Sequence, residues 1–284
     1  MKYYSARKKN AILETHKFFL KMTDQNNSSK RPLIFISNDD GVSAPGIHRL
    51  IDYVKDLGDV IVVAPEDPHS GMSSAFTVDK ALRIREHEDY NGARVFSVNG
   101  TPVDCVKLGL FAVAPRRPDI MLSGINHGSN SGNSIIYSGT MGAVVEACME
   151  GIPSIGFSLL HHSIKADFSL SAKYITEIAS KVLEEGLPKG VCLNVNIPAK
   201  VEPVGIRVCR AARGHWSDGY CRYLDPQGNP FFMLKGRFIN EDADATDTDE
   251  YWLARNYISV VPVSPDMTCN PEIKEMTHRF DTKD

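Results

Sequence analysis

The 284-residue sequence lacks the features of several large protein classes. It has no run of about 20 consecutive apolar residues, so no transmembrane helix is predicted. It has no basic excess, because 32 lysines and arginines stand against 35 acidic residues, and no nucleic-acid partner is expected. The six cysteines are scattered and form no C-x-x-C pair, as is typical of free thiols in a reducing compartment. We therefore predict a cytoplasmic protein that binds neither nucleic acid nor membrane.

Several familiar catalytic motifs are also absent. There is no G-x-x-x-x-G-K-[ST], no G-x-G-x-x-G after the first predicted strand, and no H-E-x-x-H. Residues 71–75 approach the G-x-S-x-G nucleophile elbow but lack its final glycine. Asp39 and Asp40 are adjacent, so the D-x-D pattern of haloacid-dehalogenase phosphatases fits poorly. Because these motifs are missing, the sequence does not support a phosphate loop, a dinucleotide cofactor or a zincin site.

The first 31 residues differ in character from the rest of the chain. They hold eight basic and two acidic residues, a net charge of +6, whereas the whole chain carries −3. Their apolar groups at 11–13 and 18–20 are separated by polar residues, so the continuous apolar core of a secretory signal is missing. We expect residues 1–31 to be an N-terminal extension that is disordered or forms a short surface helix. A single domain is predicted at 32–284.

Short apolar runs alternate with helical patterns from Pro32 onward. Apolar runs typical of buried strands occupy 33–37, 60–64, 95–98, 119–123, 154–159 and 192–197. Helical periodicity occupies 46–57, 103–113, 139–150 and 170–185. This alternation predicts an α/β fold in which a parallel sheet is covered by helices on both faces. After about residue 204 the strand patterns at 204–209, 231–234 and 258–263 have no long helix between them, which predicts a β-rich part at about 204–265.

Polar side chains follow the first predicted strand, where ligands of parallel sheets bind. They are Asn38, Asp39 and Asp40. Adjacent carboxylates repel each other unless water screens them or a cation lies between them. Oxygen ligands of this kind suit hard cations such as Mg²⁺ or Mn²⁺. The same pair also fits a helix N-cap followed by an acidic first turn, and the residues alone do not separate the two interpretations.

A second polar cluster occupies residues 123–133, after the strand predicted at 119–123. Its glycines allow backbone N–H groups to approach a ligand closely, although a flexible surface loop is the alternative. Asn126 offers an amide oxygen to a metal or an NH₂ group to a phosphate. The cluster leads to Ser138, Gly139 and Thr140 at a predicted helix start, which is an anion site. Capping alone would also explain Ser138 or Thr140.

Two further segments carry less specific signals. Residues 69–74 follow the second strand, and a serine hydroxyl there fits a metal shell or a phosphate contact. Residues 99–102 read as a turn into a helix, with Thr101 as the N-cap and Pro102 at the first helical position. The same turn would also place Asn99 near a ligand at the carboxyl edge of the sheet.

Together these segments resemble the SurE family of metal-dependent nucleotide phosphatases. The matching stretches are 36–46 (ISNDDGVSAPG), 99–105 (NGTPVDC), 123–130 (SGINHGSN) and 137–143 (YSGTMGA) with Glu146, in family order. The resemblance spans about residues 32–263. It implies a Rossmann-like, three-layer α/β core with a mostly parallel sheet, and a β-rich C-terminal part that forms homodimers or homotetramers. It also implies hydrolysis of nucleoside 5′-monophosphates, with 3′-monophosphates and short polyphosphate as further candidate substrates.

The resemblance assigns roles to the candidate residues. One divalent cation per subunit, Mg²⁺ or Mn²⁺, would be bound by Asp39, Asp40, Ser70 and Asn126, and Ser73 and Ser74 are close alternatives to Ser70. The expected catalytic residues are Asp39, Asp40 and Asn126, with Asp40 preferred as the group that orients or deprotonates the attacking water. The expected phosphate or substrate contacts are Asn38, Asn99, Ser138, Gly139 and Thr140. Two other hypotheses on the same fold are a non-catalytic nucleotide sensor and a metal-dependent glycosyltransferase.

Overall fold

The computed structural model describes residues 31–217 and 219–282. Its strands are β1 (Leu33–Ser37), β2 (Asp59–Pro65), β3 (Ile84–Glu86), β4 (Arg94–Val98), β5 (Ile120–His127), β6 (Ser154–Leu159), β7 (Cys192–Ile197), β8 (Ile206–Val208), β9 (Gly214–Trp216), β10 (Tyr220–Leu224), β11 (Pro230–Leu234), β12 (Phe238–Asn240) and β13 (Ile258–Val263). Its α-helices are α1 (Pro45–Val54), α2 (Pro102–Ala112), α3 (Gly139–Met149), α4 (Ala172–Glu185), α5 (Asp249–Leu253) and α6 (Ile273–Phe280). The predicted extension lies outside the described residues, apart from Arg31.

Nine strands form one sheet in the order β3-β4-β2-β1-β5-β6-β7-β13-β8. The strands from β4 to β7 in this order are parallel, whereas β3 and β13 run antiparallel to β4 and β7. This confirms the predicted α/β fold with a mostly parallel sheet. The chain leaves β1 on one side for β2 and β4, and then returns to the other side of β1 to form β5. The connections after β1 and β5 lead to opposite faces of the sheet, so the crevice in which ligands of such sheets bind is at the carboxyl ends of these two strands.

Helices cover both faces of the sheet, and β1 contributes to the apolar core on each side. Ile34 and Ile36 pack with residues of α1 and α4, whereas Leu33 and Phe35 pack with residues of α2 and α3. All five residues of β1 are buried. Burial on both faces explains why the strand is a continuous apolar run instead of an alternating one. The predicted three-layer core is confirmed.

Strand β5 is longer than the sequence predicts. It was expected to end at Ser123, but it continues through Asn126 and His127, which pair with Ser158 and Leu159 of β6. The pairing register shifts between Ser123 and Asn126. Asn126 therefore occupies the end of a strand in the middle of the sheet, so the predicted loop begins later than expected.

The chain after residue 204 is rich in short strands, as predicted. β8 and β13 extend the main sheet, while β9 pairs with β12 and β10 pairs with β11 in two small antiparallel sheets. The sequence analysis missed α5 and α6, which are short. No helix in the described ranges is both long and apolar enough to span a lipid bilayer.

Candidate active site at the carboxyl edge of the sheet

Asp39 follows β1 and packs against the N-terminus of α3. Its side chain is almost fully buried, with 3% exposed. The Thr140 hydroxyl donates a hydrogen bond of 2.5 Å to Asp39 Oδ1. Gly139 approaches so closely that a Cβ atom there would lie 2.8 Å from the Asp39 Cβ. A helix N-terminus favours negative charge, so α3 both positions and stabilises this carboxylate.

Asp40 points toward the end of the neighbouring strand β5. The His127 N–H donates to Asp40 Oδ2 over 3.4 Å, so the carboxylate lies beside the residue that follows Asn126. The Asn126 Nδ2 donates to the Gly128 carbonyl over 2.9 Å, and no other described residue engages the Asn126 side chain. The structure thus brings Asp39, Asp40 and Asn126 together at the crevice between β1 and β5.

Burial raises the pKa of both carboxyl groups and so favours their neutral form. Burial, and next the charge of Asp40, raise the pKa of Asp39 to about 6, and hydrogen bonding from Thr140 opposes this rise. Burial also raises the pKa of Asp40, and the His127 N–H opposes it. Two adjacent, partly desolvated carboxylates are stabilised by a positive charge placed between them. The electrostatics of the pair therefore fit a cation-binding site.

Ser70 lies on the loop that follows β2, and this loop passes next to Asp39. The His69 N–H donates to the Asp39 carbonyl over 2.7 Å, which brings the neighbouring Ser70 to the site. Ser70 is exposed, and its hydroxyl forms no hydrogen bond with a described residue. The Ser73 hydroxyl, in contrast, donates to the Ile136 carbonyl over 2.6 Å. Of these two serines, Ser70 is the one whose hydroxyl remains free for a ligand.

Asn38 carries a buried acceptor without a partner. Its Nδ2 donates to the Gly41 carbonyl over 2.9 Å, while its Oδ1 has no hydrogen-bond partner among the described residues. The hydroxyls of Ser37 and Ser123, which are register partners on β1 and β5, are likewise buried and unpaired. Buried polar groups without a partner are costly. Their grouping under Asp39 and Asp40 is consistent with a polar ligand at this edge. No pattern in the sequence singles out Ser37.

The three predicted phosphate contacts at the start of α3 have identified partners. The Ser138 hydroxyl accepts from the Met141 N–H and is the N-cap of the helix. The Thr140 hydroxyl donates to Asp39, as described above. Gly139 brings the helix backbone against Asp39. Thr140 is therefore a partner of Asp39, whereas the sequence analysis treated it as a phosphate contact, which stays a prediction.

The Asn99 side chain forms two hydrogen bonds with the backbone of the segment before β3. Its Oδ1 accepts from the Arg83 N–H over 2.6 Å, and its Nδ2 donates to the Ala81 carbonyl over 3.3 Å. Its role as a substrate contact stays a prediction. Thr101 is the N-cap of α2, as predicted, and forms a reciprocal capping box with Asp104.

Asp104 also receives hydrogen bonds from the N–H and hydroxyl of Thr77, and so anchors the far end of the Ser70 loop. The sequence analysis missed this anchoring role. The T-x-x-D spacing from Thr101 to Asp104 signals the capping box, but not the contact with Thr77.

The predicted donor set consists of hard oxygen atoms. In the described part of the chain, no three His, Cys, Asp or Glu side chains cluster as a metal site. The predicted set has only two carboxylates, from Asp39 and Asp40, with an amide from Asn126 and a hydroxyl from Ser70. Carboxylate, amide and hydroxyl oxygens match Mg²⁺ or Mn²⁺. The residues present therefore fit such a cation.

Comparisons with known proteins point to one family. The family model described as "Survival protein SurE" matches residues 34–218. A "5'-nucleotidase SurE" of Christiangramia forsetii is 49% identical over 255 residues, covering 88% of this chain and 97% of that protein. The Bacteroides fragilis protein of the same name is 43% identical, covering 84% and 94% respectively.

A solved structure of a SurE protein also matches the chain. The SurE protein from Aquifex aeolicus matches with a TM-score of 0.76 and 36% identity, covering 88% of this chain and all of that one. The family-model match at residues 34–218 spans the strands and helices that carry Asp39, Asp40 and Asn126. The chain belongs to the SurE family.

Proposed function

We propose that this protein is a metal-dependent 5′-nucleotidase that hydrolyses nucleoside 5′-monophosphates to nucleoside and phosphate. The observation that carries the proposal is that Asp40 is bonded to the end of β5, at the residue after Asn126, while Asp39 is bonded to the first turn of α3. The names of the Christiangramia forsetii and Bacteroides fragilis relatives support the same activity. We assign the catalytic role to these three residues.

One divalent cation per subunit, Mg²⁺ or Mn²⁺, would be held by Asp39, Asp40, Ser70 and Asn126. When bound, such a cation neutralises phosphate charge and lowers the pKa of a coordinated water. The chain prepares the site for it in two ways. Thr140 fixes the direction of the Asp39 carboxylate, and the His127 N–H fixes that of Asp40.

Hydrolysis requires a water oxygen to attack phosphorus while the bond from phosphorus to the 5′ oxygen breaks. Asp40 accepts a hydrogen bond from this water and orients it, because the His127 N–H occupies only one of its two oxygens. The first turn of α3, with Ser138 and Gly139, presents its dipole to the phosphate oxygens. Asn38 is buried next to Asp39 in the chain, and its contact with the phosphate stays a prediction. One proton of the attacking water ends on the departing 5′ oxygen, and nucleoside and phosphate are released.

Phosphate release from a panel of substrates tests this function. The panel contains 5′- and 3′-nucleoside monophosphates and short polyphosphate, each assayed after chelation and again with Mg²⁺ or Mn²⁺ restored. We expect release from the 5′-monophosphates that stops on chelation and returns with metal. A folded protein that releases no phosphate with either metal would contradict the proposal and favour a nucleotide-binding sensor.

Ser70→Ala should lower kcat/KM for the preferred nucleotide by about tenfold, whereas Ser73→Ala should have a smaller effect. The reason is that the Ser73 hydroxyl is already bonded to the Ile136 carbonyl, while the Ser70 hydroxyl is free among the described residues. Both variants are measured at several Mn²⁺ concentrations. The opposite order of effects would mean that Ser73, not Ser70, completes the metal shell.

We further propose that residues 32–284 act as one domain that self-associates through the hairpin β10–β11. Both faces of this hairpin are exposed, including Tyr220, Phe231 and Phe232. Large apolar side chains grouped on an exposed hairpin are typical of a protein interface, and a second copy offers an identical hairpin. Light scattering should show a dimer or tetramer for the wild type and a smaller species for Phe232→Asp; an unchanged mass would contradict this interface.

We place the protein in the cytoplasm, where its six free cysteines stay reduced.

A further inference from the structure

Four exposed apolar side chains lie next to the candidate active site and are here called the apolar rim. Met72 and Phe76 belong to the loop after β2, and Ile136 and Tyr137 directly precede α3. Their exposed fractions are 43%, 57%, 52% and 56%. Large apolar side chains that are grouped at the surface beside a polar crevice are typical of a ligand-binding surface. The catalytic scheme above leaves all four unused.

Ser73 joins the two segments that carry the apolar rim. Its N–H donates to the Tyr137 carbonyl over 3.1 Å, and its hydroxyl donates to the Ile136 carbonyl over 2.6 Å. Gly142 of α3 lies so close that a Cβ atom there would be 2.2 Å from the Ser73 carbonyl oxygen. The backbone beneath the rim is therefore held by hydrogen bonds and by close packing on α3.

Tyr137 lies close in the chain to Gly139, which packs on the carboxylate of Asp39. It precedes Gly139 by two residues, and Gly139 is in contact with Asp39. Two residues of chain span at most about 7 Å, so the Tyr137 backbone lies within about 7 Å of the Gly139 backbone that packs on Asp39. A nucleotide with its phosphate at Asp39 and Asp40 would place its base in this region.

We propose that Tyr137, flanked by Ile136, stacks against the nucleobase of the substrate. This inference rests on the nucleotidase function proposed above. A nucleotide has a charged end and a flat π face, and the rim supplies an aromatic face beside the polar crevice. Tyrosine loses little conformational entropy on binding, because it has only two side-chain torsions. Stacking tolerates every base, so the enzyme accepts all four nucleotides, with purines ahead of pyrimidines because they stack over a larger area.

The test compares Tyr137→Ala with Tyr137→Phe on substrates with and without a base. For AMP and GMP, Tyr137→Ala should raise KM about tenfold and leave kcat within about twofold, since a stacked base adds binding energy away from the reacting bond. Ribose 5-phosphate turnover and inhibition by inorganic phosphate should not change, because neither ligand carries a base. Tyr137→Phe keeps the aromatic face and should behave as the wild type. Phe111→Ala, which removes an exposed ring from the far end of α2, is the matched control and should change nothing.

Two results separate the failure of this inference from the failure of the proposed function. A wild-type protein that hydrolyses no nucleoside monophosphate overturns the function, and the inference with it. A wild type that is active on nucleotides, with a Tyr137→Ala variant that keeps its KM for AMP, overturns the stacking role alone. The stacking role is also overturned if Tyr137→Ala weakens inhibition by inorganic phosphate as much as it weakens AMP binding, because the effect would then lie at the phosphate end.

Discussion

Asp39→Asn should lower kcat/KM for nucleoside 5′-monophosphates by about a thousandfold, while the folded protein becomes no less stable. The substitution keeps the shape of the side chain and leaves an oxygen to accept from the Thr140 hydroxyl. It removes a charge that burial and Asp40 destabilise, since both raise the pKa of Asp39. The free energy of unfolding without metal should therefore be retained or increased. Asp40→Asn should cause a comparable loss of activity, because it removes the second carboxylate of the pair.

Thermal unfolding supplies a readout that does not depend on turnover. A cation that binds only the folded wild type raises its Tm with concentration, and this shift should be lost in both variants. Asp56→Asn is the matched control, because Asp56 is an exposed carboxylate beyond the end of α1, and it should keep both the shift and the activity. If Asp39→Asn and Asp40→Asn kept the Mn²⁺-dependent shift and near-normal activity, the assigned metal ligands would be wrong.

Gly139→Ala should lower kcat/KM about a hundredfold, although it adds a single methyl group. The new Cβ would lie 2.8 Å from the Asp39 Cβ and 3.0 Å from its Oδ2, so the carboxylate must shift. A displacement of this kind misplaces the carboxylate relative to Asp40 and Asn126. The measurement is kcat/KM for AMP together with Mn²⁺ affinity, and both should worsen while circular dichroism stays unchanged.

Gly205→Ala is the matched control for that substitution. A Cβ atom there would lie 3.6 Å from its nearest neighbour, Tyr257 Cε1, which is ordinary van der Waals contact. This variant should keep full activity. If Gly139→Ala also kept wild-type activity and Mn²⁺ affinity, the close approach of α3 would not be what positions Asp39.

The sequence predicted those parts of the fold that are governed by burial. β1, β6 and β7 have the predicted bounds, because nearly every residue of these strands is buried and apolar side chains predominate in each. Burial does not explain β3 (Ile84–Glu86), because its three residues are all exposed. This strand is held by its pairing with β4. Pairing of this kind leaves no hydrophobic period in the sequence.

The candidate site was predictable in its residues but not in its internal contacts. Asp39, Asp40 and Asn126 stand out because they follow strands, and parallel strands end at a common edge. The bond from Thr140 to Asp39 joins residues 101 positions apart, and no local pattern reports such a contact. The extension of β5 to His127 was missed for a related reason, since the register shift against β6 is set by tertiary packing.

The burial of β1 divides the site into two parts that differ in local stability. The backbone before Asp39 lies in the centre of the sheet, so its amide hydrogens should exchange with solvent only through global unfolding. Ser70 and Met72 lie on an exposed loop, whose opening requires little of the core to separate. A protease that cuts this loop would then release the hydroxyl ligand and Met72, while the carboxylates and Tyr137 stay in position. The nicked protein would still bind a cation, more weakly, and would turn over nucleotides poorly.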